Sequence, residues 1–397
     1  MKKLFPYPEQ RALEDAAFIR SVTPQRIHSL LLPIWSVTVA ASVTEAQDYE
    51  LIDRYLSRGI AEGGLRTTAE LAEFFALEPI LVDRALRALF AIGHLRHAGG
   101  VWTLTDLGLR SVRDQKRYVL TREDRRKLYF DAFGSRPLTR PYYDSNRITL
   151  LPLSAMETDR RFQALVALRP FDTRALAALA TDPRRDLFNL PERIDNPREV
   201  EPPEQVLLPL YVVRGNGTDG RVHHLAYNQE VGEQEPYLSE LVEQTPDLVA
   251  LLATEERDAK VGDVEEGARR WFRSKGLDEY PSARTSGGLV QVVLPAKHFA
   301  RGGKVPINQL GSFVMCGTGF FQLWCPDLTA RRRALTTRVD TFLGGRSRVD
   351  RSALEVLVDA VARQLDLDVV DLADVRELAR EFGHRSLVIQ LDKLISP

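Results

Sequence analysis

Apolar positions along the chain fall first into a helical run and then into a strand-like one. Residues 9–21 carry apolar side chains at helical spacing and predict a short amphipathic helix. The stretch "LLLPIWSVTVAASV" (30–43) is apolar and β-branched and contains Pro33. It predicts a strand and is too short to cross a membrane as a helix. From residue 49 the spacing turns helical again. Leu51, Ile52, Tyr55, Leu56 and Ile60 recur at that spacing, and Gly63-Gly64 end the run. "RTTAELAEFFAL" sets Thr67 three residues before Glu70, the spacing of a capping box. In "EPILVDRALRALFAIGHL", Pro79 suits a first helical position and Val82, Leu86 and Leu89 share the inward face. "HLRHA" and "VWTLT" then alternate as short strands around Gly99-Gly100, which supply the positive φ of a tight hairpin.

Three helices followed by a hairpin predict a winged helix over residues 47–117. The stretches "TTAELAEFFAL", "ALRALFAIGHL" and "WTLTDLG" resemble the winged-helix domain of bacterial repressors of the multiple-antibiotic-resistance type. The resemblance covers roughly 70 residues, under a fifth of the chain. It implies a helix-turn-helix fold and DNA binding through the third helix and the wing, and leaves the remaining residues unassigned.

Beyond 117 the pattern is mixed. "RKLYFDAFGSRPLTRPYYD" predicts a hairpin around Gly134, "DTRALAALATDP" a short helix, and "NLPERIDNPREVEPPEQ" a linker rich in Pro and charge. "VLLPLYVVRG" and "RVHHLAYNQE", joined by "NGTDG", predict a second hairpin. Helical spacing over 236–275 precedes two apolar strand stretches, "GLVQVVLPA" and "GSFVMCGTGFFQLWCP", and a basic helix near 328–343. The tail is helical, with Ser352 and Glu355 at capping-box spacing and Gly383 as a stop. The expected fold is therefore α+β, an N-terminal winged helix followed by a β-rich mixed domain and a helical C-terminal segment. The expected segments are an arm at 1–46, the winged helix at 47–117, a connecting α/β segment at 118–204, the β-rich domain at 205–345 and the helical segment at 346–397.

Composition adds limits. The net charge of −1 means that attraction to nucleic acid must come from local patches. Residues 105–127 carry eight Lys/Arg against four acids, residues 329–351 seven Arg against two Asp, and residues 230–266 twelve acids against two bases. Only 9 of the 54 basic residues are lysine, which a GC-rich genome explains as well as a phosphate-binding role. The cysteines, Cys316 and Cys325, form no disulfide framework, and with no apolar leader after Lys2-Lys3 a cytoplasmic setting is expected.

Candidate chemistry follows from these patches. Arg84, Arg87 and Arg96 on the third helix and wing, with Arg110, Arg113, Lys116, Arg117, Arg331, Arg332 and Arg333, are candidate nucleic-acid contacts, most of them to phosphate. The outward face of the third helix lacks Asn, Gln and Ser and includes Asp83, which favours a structural or protein-contact role over base reading. Lys297, His298, Arg301 and Lys304 around Gly302-Gly303 suit an anion, but match neither a phosphate loop nor a dinucleotide fingerprint, so a solvated loop is the competing reading. His223 and His224 alternate faces on a strand, and the cysteines lack zinc spacing, so no metal or other cofactor is expected. Cys316 and His298 suggest a nucleophilic pair, although buried flanks argue for an inert thiol. The expected function is a non-catalytic nucleic-acid-associated or scaffolding subunit of a bacterial multiprotein assembly, such as a defence system, with protein partners and no membrane. The alternatives are a hydrolase or nuclease in the C-terminal half and a sequence-specific regulator.

Overall fold

The chain opens on a helix, α1 (Glu9–Phe18), and continues into a 25-residue strand, β1 (Thr23–Gln47). The computed structural model describes residues 4–157, 161–166, 169–191, 194–230, 232–258, 262–277, 283–344, 349–368 and 370–395. After β1 come α2 (Leu51–Ala61), α3 (Thr68–Phe75), α4 (Pro79–Ala91), β2 (Leu95–Ala98), β3 (Val101–Leu104), α5 (Asp106–Asp114) and a second long strand, β4 (Arg117–Asp131).

This opening corrects the expected fold class. The chain does not lead with a winged helix; it leads with a helix and a sheet. Strands β1 and β4 pair antiparallel from Ile34 opposite Asp131 to Gln47 opposite Arg117. The helices between them are therefore an insertion at the end of a long ribbon. The repressor resemblance rests on local pattern, and the architecture around that pattern differs from a leading winged helix.

The chain divides into two compact units, one of residues 34–144 and 167–206, the other of residues 1–33, 145–166 and 207–397. Along the chain β4 is followed by the short strands β5 (Leu151–Pro152) and β6 (Gln163–Ala164), then α6 (Arg174–Thr181) and β7 (Ile194–Glu199). In the unit of residues 34–144 and 167–206, β7 pairs with Val39–Val43 of β1, so the predicted linker contains a strand. Its charged, proline-containing sequence is tolerated because a strand that meets one neighbour leaves its other edge unpaired. Leu176 and Leu179 of α6 pack with Val37, Val39, Leu128 and Phe130 of the sheet. The insertion has its own core of Leu56, Leu71, Val82, Leu86, Leu89 and Trp102. Each such burial contributes about 1.5–3 kcal/mol.

The other unit begins with α1 and residues 23–33 of β1, and Leu30 and Leu31 pair in parallel with β6. A hairpin of β8 (Glu204–Asn216) and β9 (Val222–Tyr227) leads to helices α7 (Pro236–Glu243), α8 (Pro246–Asp258) and α9 (Gly262–Ser274). A four-stranded sheet follows, built from β10 (Ala283–Ser286), β11 (Leu289–Val293), β12 (Phe313–Cys316) and β13 (Gly319–Trp324) in the order β10-β11-β13-β12. Four helices close the chain: α10 (Leu328–Gly344), α11 (Arg351–Gln364), α12 (Leu372–Glu381) and α13 (Arg385–Ile395). Phe321, Leu335, Val339, Val358, Val375 and Leu391 bury these helices against the sheet. Asp350 stands at the N-cap of α11 without a side-chain cap, so the expected Ser352/Glu355 box is absent; a capping box forms instead at Asp371 and Asp374 of α12. Among the described residues no helix is long and apolar enough to cross a membrane.

Candidate functional site

Helix α1 turns one face to the protein interior and another to a cavity. Ala12, Leu13 and Ala16 are fully buried. Asp15, buried beside them, accepts a hydrogen bond from the Tyr227 hydroxyl at 3.0 Å. Burial, then the charge of Asp15, raises the Tyr227 pKa above its ordinary value. Arg11, Glu14 and Phe18, at i, i+3 and i+7, line a cavity of about 600 Å³. Helix α10 adds Arg338 and Phe342 to its wall, and α11 adds Val356, Leu357 and Gln364.

Arg338 is the best-anchored cation of this cavity. Its Nε donates to the Asn308 carbonyl at 3.1 Å, and its Nη2 to the Leu310 carbonyl at 2.6 Å and to Ser312 Oγ at 2.9 Å. Its Nη1 donates to Gln364 Oε1 at 2.5 Å. All four acceptors are neutral, and among the described residues one of the five guanidinium N–H groups has no acceptor. Burial lowers the Arg338 pKa, and the charge of Glu14 opposes that effect.

Gln364 joins the two charges. Its amide nitrogen donates to Glu14 Oε1 at 3.1 Å and to the Gly311 carbonyl at 3.0 Å. The network runs on through Gln322, whose amide donates to the Gly311 and Gln364 carbonyls at 2.9 and 3.2 Å. Gln291 donates to Gln322 Oε1 at 2.8 Å and accepts from Arg284 at 2.9 Å. Three buried glutamines from β11, β13 and α11 thus hold one another by satisfied hydrogen bonds, which makes the corner rigid. Sequence reasoning missed this site, since Gln291, Gln322 and Gln364 are distant in sequence and none lies in a motif.

The predicted residues are distributed differently. On α4, Arg87 pairs with Asp83 at 2.7 Å while Arg84 is exposed; Arg96 is exposed on β2. Arg110 lies over the Tyr118 ring at 4.4 Å, Arg113 pairs with Asp114 at 2.9 Å, Lys116 is exposed, and Arg117 lies 4.0 Å from Asp53. Arg331 is turned inward, donating to the Leu365 carbonyl at 3.1 Å and stacking over Trp324, whereas Arg332 and Arg333 face solvent. Lys297, His298, Arg301 and Lys304 fall on a largely exposed loop in which Lys304 donates to the Gly276 carbonyl. The Arg122 side chain and the side chains of 255–263 in the acidic stretch lie outside the described residues.

Chemistry at the other candidates is muted. His224 is buried, whereas His223 reaches Asp219 at 3.2 Å and Glu243 at 3.5 Å, as alternation along a strand requires. Burial raises the Cys316 thiol pKa, the opposite of what an activated thiolate needs. Among the described residues no group of three metal-ligating side chains gathers. The cavity wall holds arginines, glutamates, serines and amides, groups that can bind and orient a ligand. Comparison with protein-family models, curated proteins and solved structures gives no match, so the repressor resemblance has no support beyond its local pattern.

Proposed function

We propose that this chain works by binding, as a non-catalytic scaffolding subunit of a larger protein assembly, and that the insertion between β1 and β4 meets the partner. One observation carries the reading. Seven of the seventeen exposed large apolar side chains among the described residues lie between 51 and 109. Scattered exposed apolar residues are ordinary, but a concentration of them marks a contact surface. On α4 alone Ile80 is 83% exposed, Phe90 51% and Leu81 40%. A helix that reads bases offers polar groups to base edges. This one offers aliphatic and aromatic groups, and Arg87 beside them is already held by Asp83. The fitting partner is a protein with an apolar groove.

A photo-crosslinking residue at position 80, in cells of the native source, is expected to give one discrete protein adduct. The same residue at position 389, also exposed on α13, should give none. Equal adducts from both positions, or none from 80, would overturn the reading.

A second reading keeps a role for nucleic acid. Arg84, Arg96 and Lys116 are exposed and make no ion pair among the described residues, which favours attachment to a phosphate backbone. Reversing all three to Glu should then flatten the log–log salt dependence of duplex binding by about three units of slope. Absence of binding at low salt removes this second reading and leaves the first intact.

A further inference from the structure

We propose that the cavity bounded by α1, α10 and α11 binds a small apolar zwitterion, an α-amino acid or dipeptide with aliphatic or aromatic side chains. Its volume, about 600 Å³, falls within the range of small-molecule sites. Phe18, Phe342, Val356 and Leu357 give the lining its apolar part. A polar corner holds Arg338 and Glu14, bridged by the amide of Gln364.

That corner decides the ligand class. Protein interiors pair the charges they desolvate, because an unpaired one costs several kcal/mol. Arg338 and Glu14, both half-buried, have opposite charges and sit one amide apart, yet no ion pair joins them, and Gln364 holds them separated. Gln364 cannot withdraw, because its own carbonyl and amide are fixed by Gln322 and Gly311. The spare N–H of Arg338 suits a carboxylate oxygen, and the free oxygen of Glu14 suits an ammonium group. A ligand with one charge would leave the other pole unmet. Arg11 and Glu233, also on the lining, carry one charge of each sign, so the cavity as a whole favours a ligand of zero net charge. The apolar wall then selects against glycine and polar side chains.

Titration calorimetry on the full chain tests this with leucine, phenylalanine and leucyl-leucine as probes. N-acetyl-leucine, which lacks the ammonium, and leucinamide, which lacks the carboxylate, are the controls. Saturable binding of at least one zwitterion is expected, with each control about tenfold weaker or more, the scale of a lost charge-assisted hydrogen bond. The arms also tell a free amino acid from a peptide. Glu14→Gln keeps an acceptor for Gln364 and should weaken leucine binding while leaving N-acetyl-leucine unchanged. Val356→Trp, at an exposed lining position, should narrow the cavity and weaken binding with the unfolding transition unaltered. Three results would each overturn the proposal: no saturation by any zwitterion at millimolar concentration, N-acetyl-leucine binding as tightly as leucine, or undiminished binding in Val356→Trp.

Discussion

Arg338 donates through Nη1 to Gln364 Oε1 at 2.5 Å, across the gap between α10 and α11. The glutamine is only 4% exposed and serves four groups at once, through its side chain and its own carbonyl. Replacing it with leucine keeps the volume and removes every side-chain bond. Arg338 then loses an acceptor, and Gly311 and Glu14 each lose a donor. The expected cost in chemical denaturation is about 1–3 kcal/mol, because one Arg338 N–H loses its acceptor while the Gly311 carbonyl keeps its bond from Gln322. A cost below about 1 kcal/mol would show that water substitutes freely for the amide.

Gly311 should be equally sensitive for a different reason. Its φ is 83°, in the region that side chains rarely adopt. A Cβ added there would also lie 3.0 Å from Leu365 Cδ2 and 3.2 Å from the Gln364 carbonyl oxygen. Gly311→Ala is expected to lower stability by about 1–3 kcal/mol. Gly344 has open space around its Cβ position and no positive φ, so Gly344→Ala serves as the neutral comparison in thermal unfolding.

Helix α4 separates packing from contact within one turn and a half. Leu86 is fully buried and Ile80 is 83% exposed. Leu86→Ala should cost about 2–5 kcal/mol, as a cavity in the core of the insertion. Ile80→Lys should change stability by no more than about 0.5 kcal/mol. If the insertion meets a protein partner, Ile80→Lys removes the adduct formed by a photo-crosslinking residue placed at position 90, which is also exposed on α4, without loosening the fold. An unfolding midpoint displaced by Ile80→Lys would mean that this side chain is packed after all.

Stability should fall as the solution is acidified. His28 is buried, and burial, followed by His224, Arg214 and Arg26, lowers its pKa from 6.5 to about 4. In the unfolded chain the ring takes a proton near its ordinary value, while the folded chain resists until about pH 4. The contribution of His28 is thus complete above about pH 6.5 and is lost as pH drops through the interval to about 4, a total of about 3 kcal/mol. His94, whose pKa is also lowered by burial, acts in the same direction. Urea unfolding at a series of pH values should show this slope, and His28→Asn should reduce it. An unchanged slope in that variant would assign the acid sensitivity elsewhere.

Near neighbours determined what the sequence could declare by itself. The capping box at Thr67 and Glu70 and the helix start at Pro79 depend on contacts three or four residues long. The hairpin at Gly99 and Gly100, with φ of 59° and 81°, is equally local, and so is the inward row Val82, Leu86 and Leu89. Tertiary pairing decided the rest. Ile34 meets Asp131 across 97 residues, and that pairing turns an apparent leading domain into an insertion. The charged stretch at 194–199 is a strand because Val39–Val43 offers it an edge, which its own composition could not reveal. The cavity is the extreme case, since Gln364 reaches Glu14 across 350 residues. A glutamine carries no periodic signal, and Arg338 stood in sequence among six other arginines of a basic stretch. Only when carbonyls from 308–310, Ser312 and α11 converge on its guanidinium does that arginine become distinct from its neighbours, because hydrogen-bond geometry depends on distances in space and not on spacing along the chain.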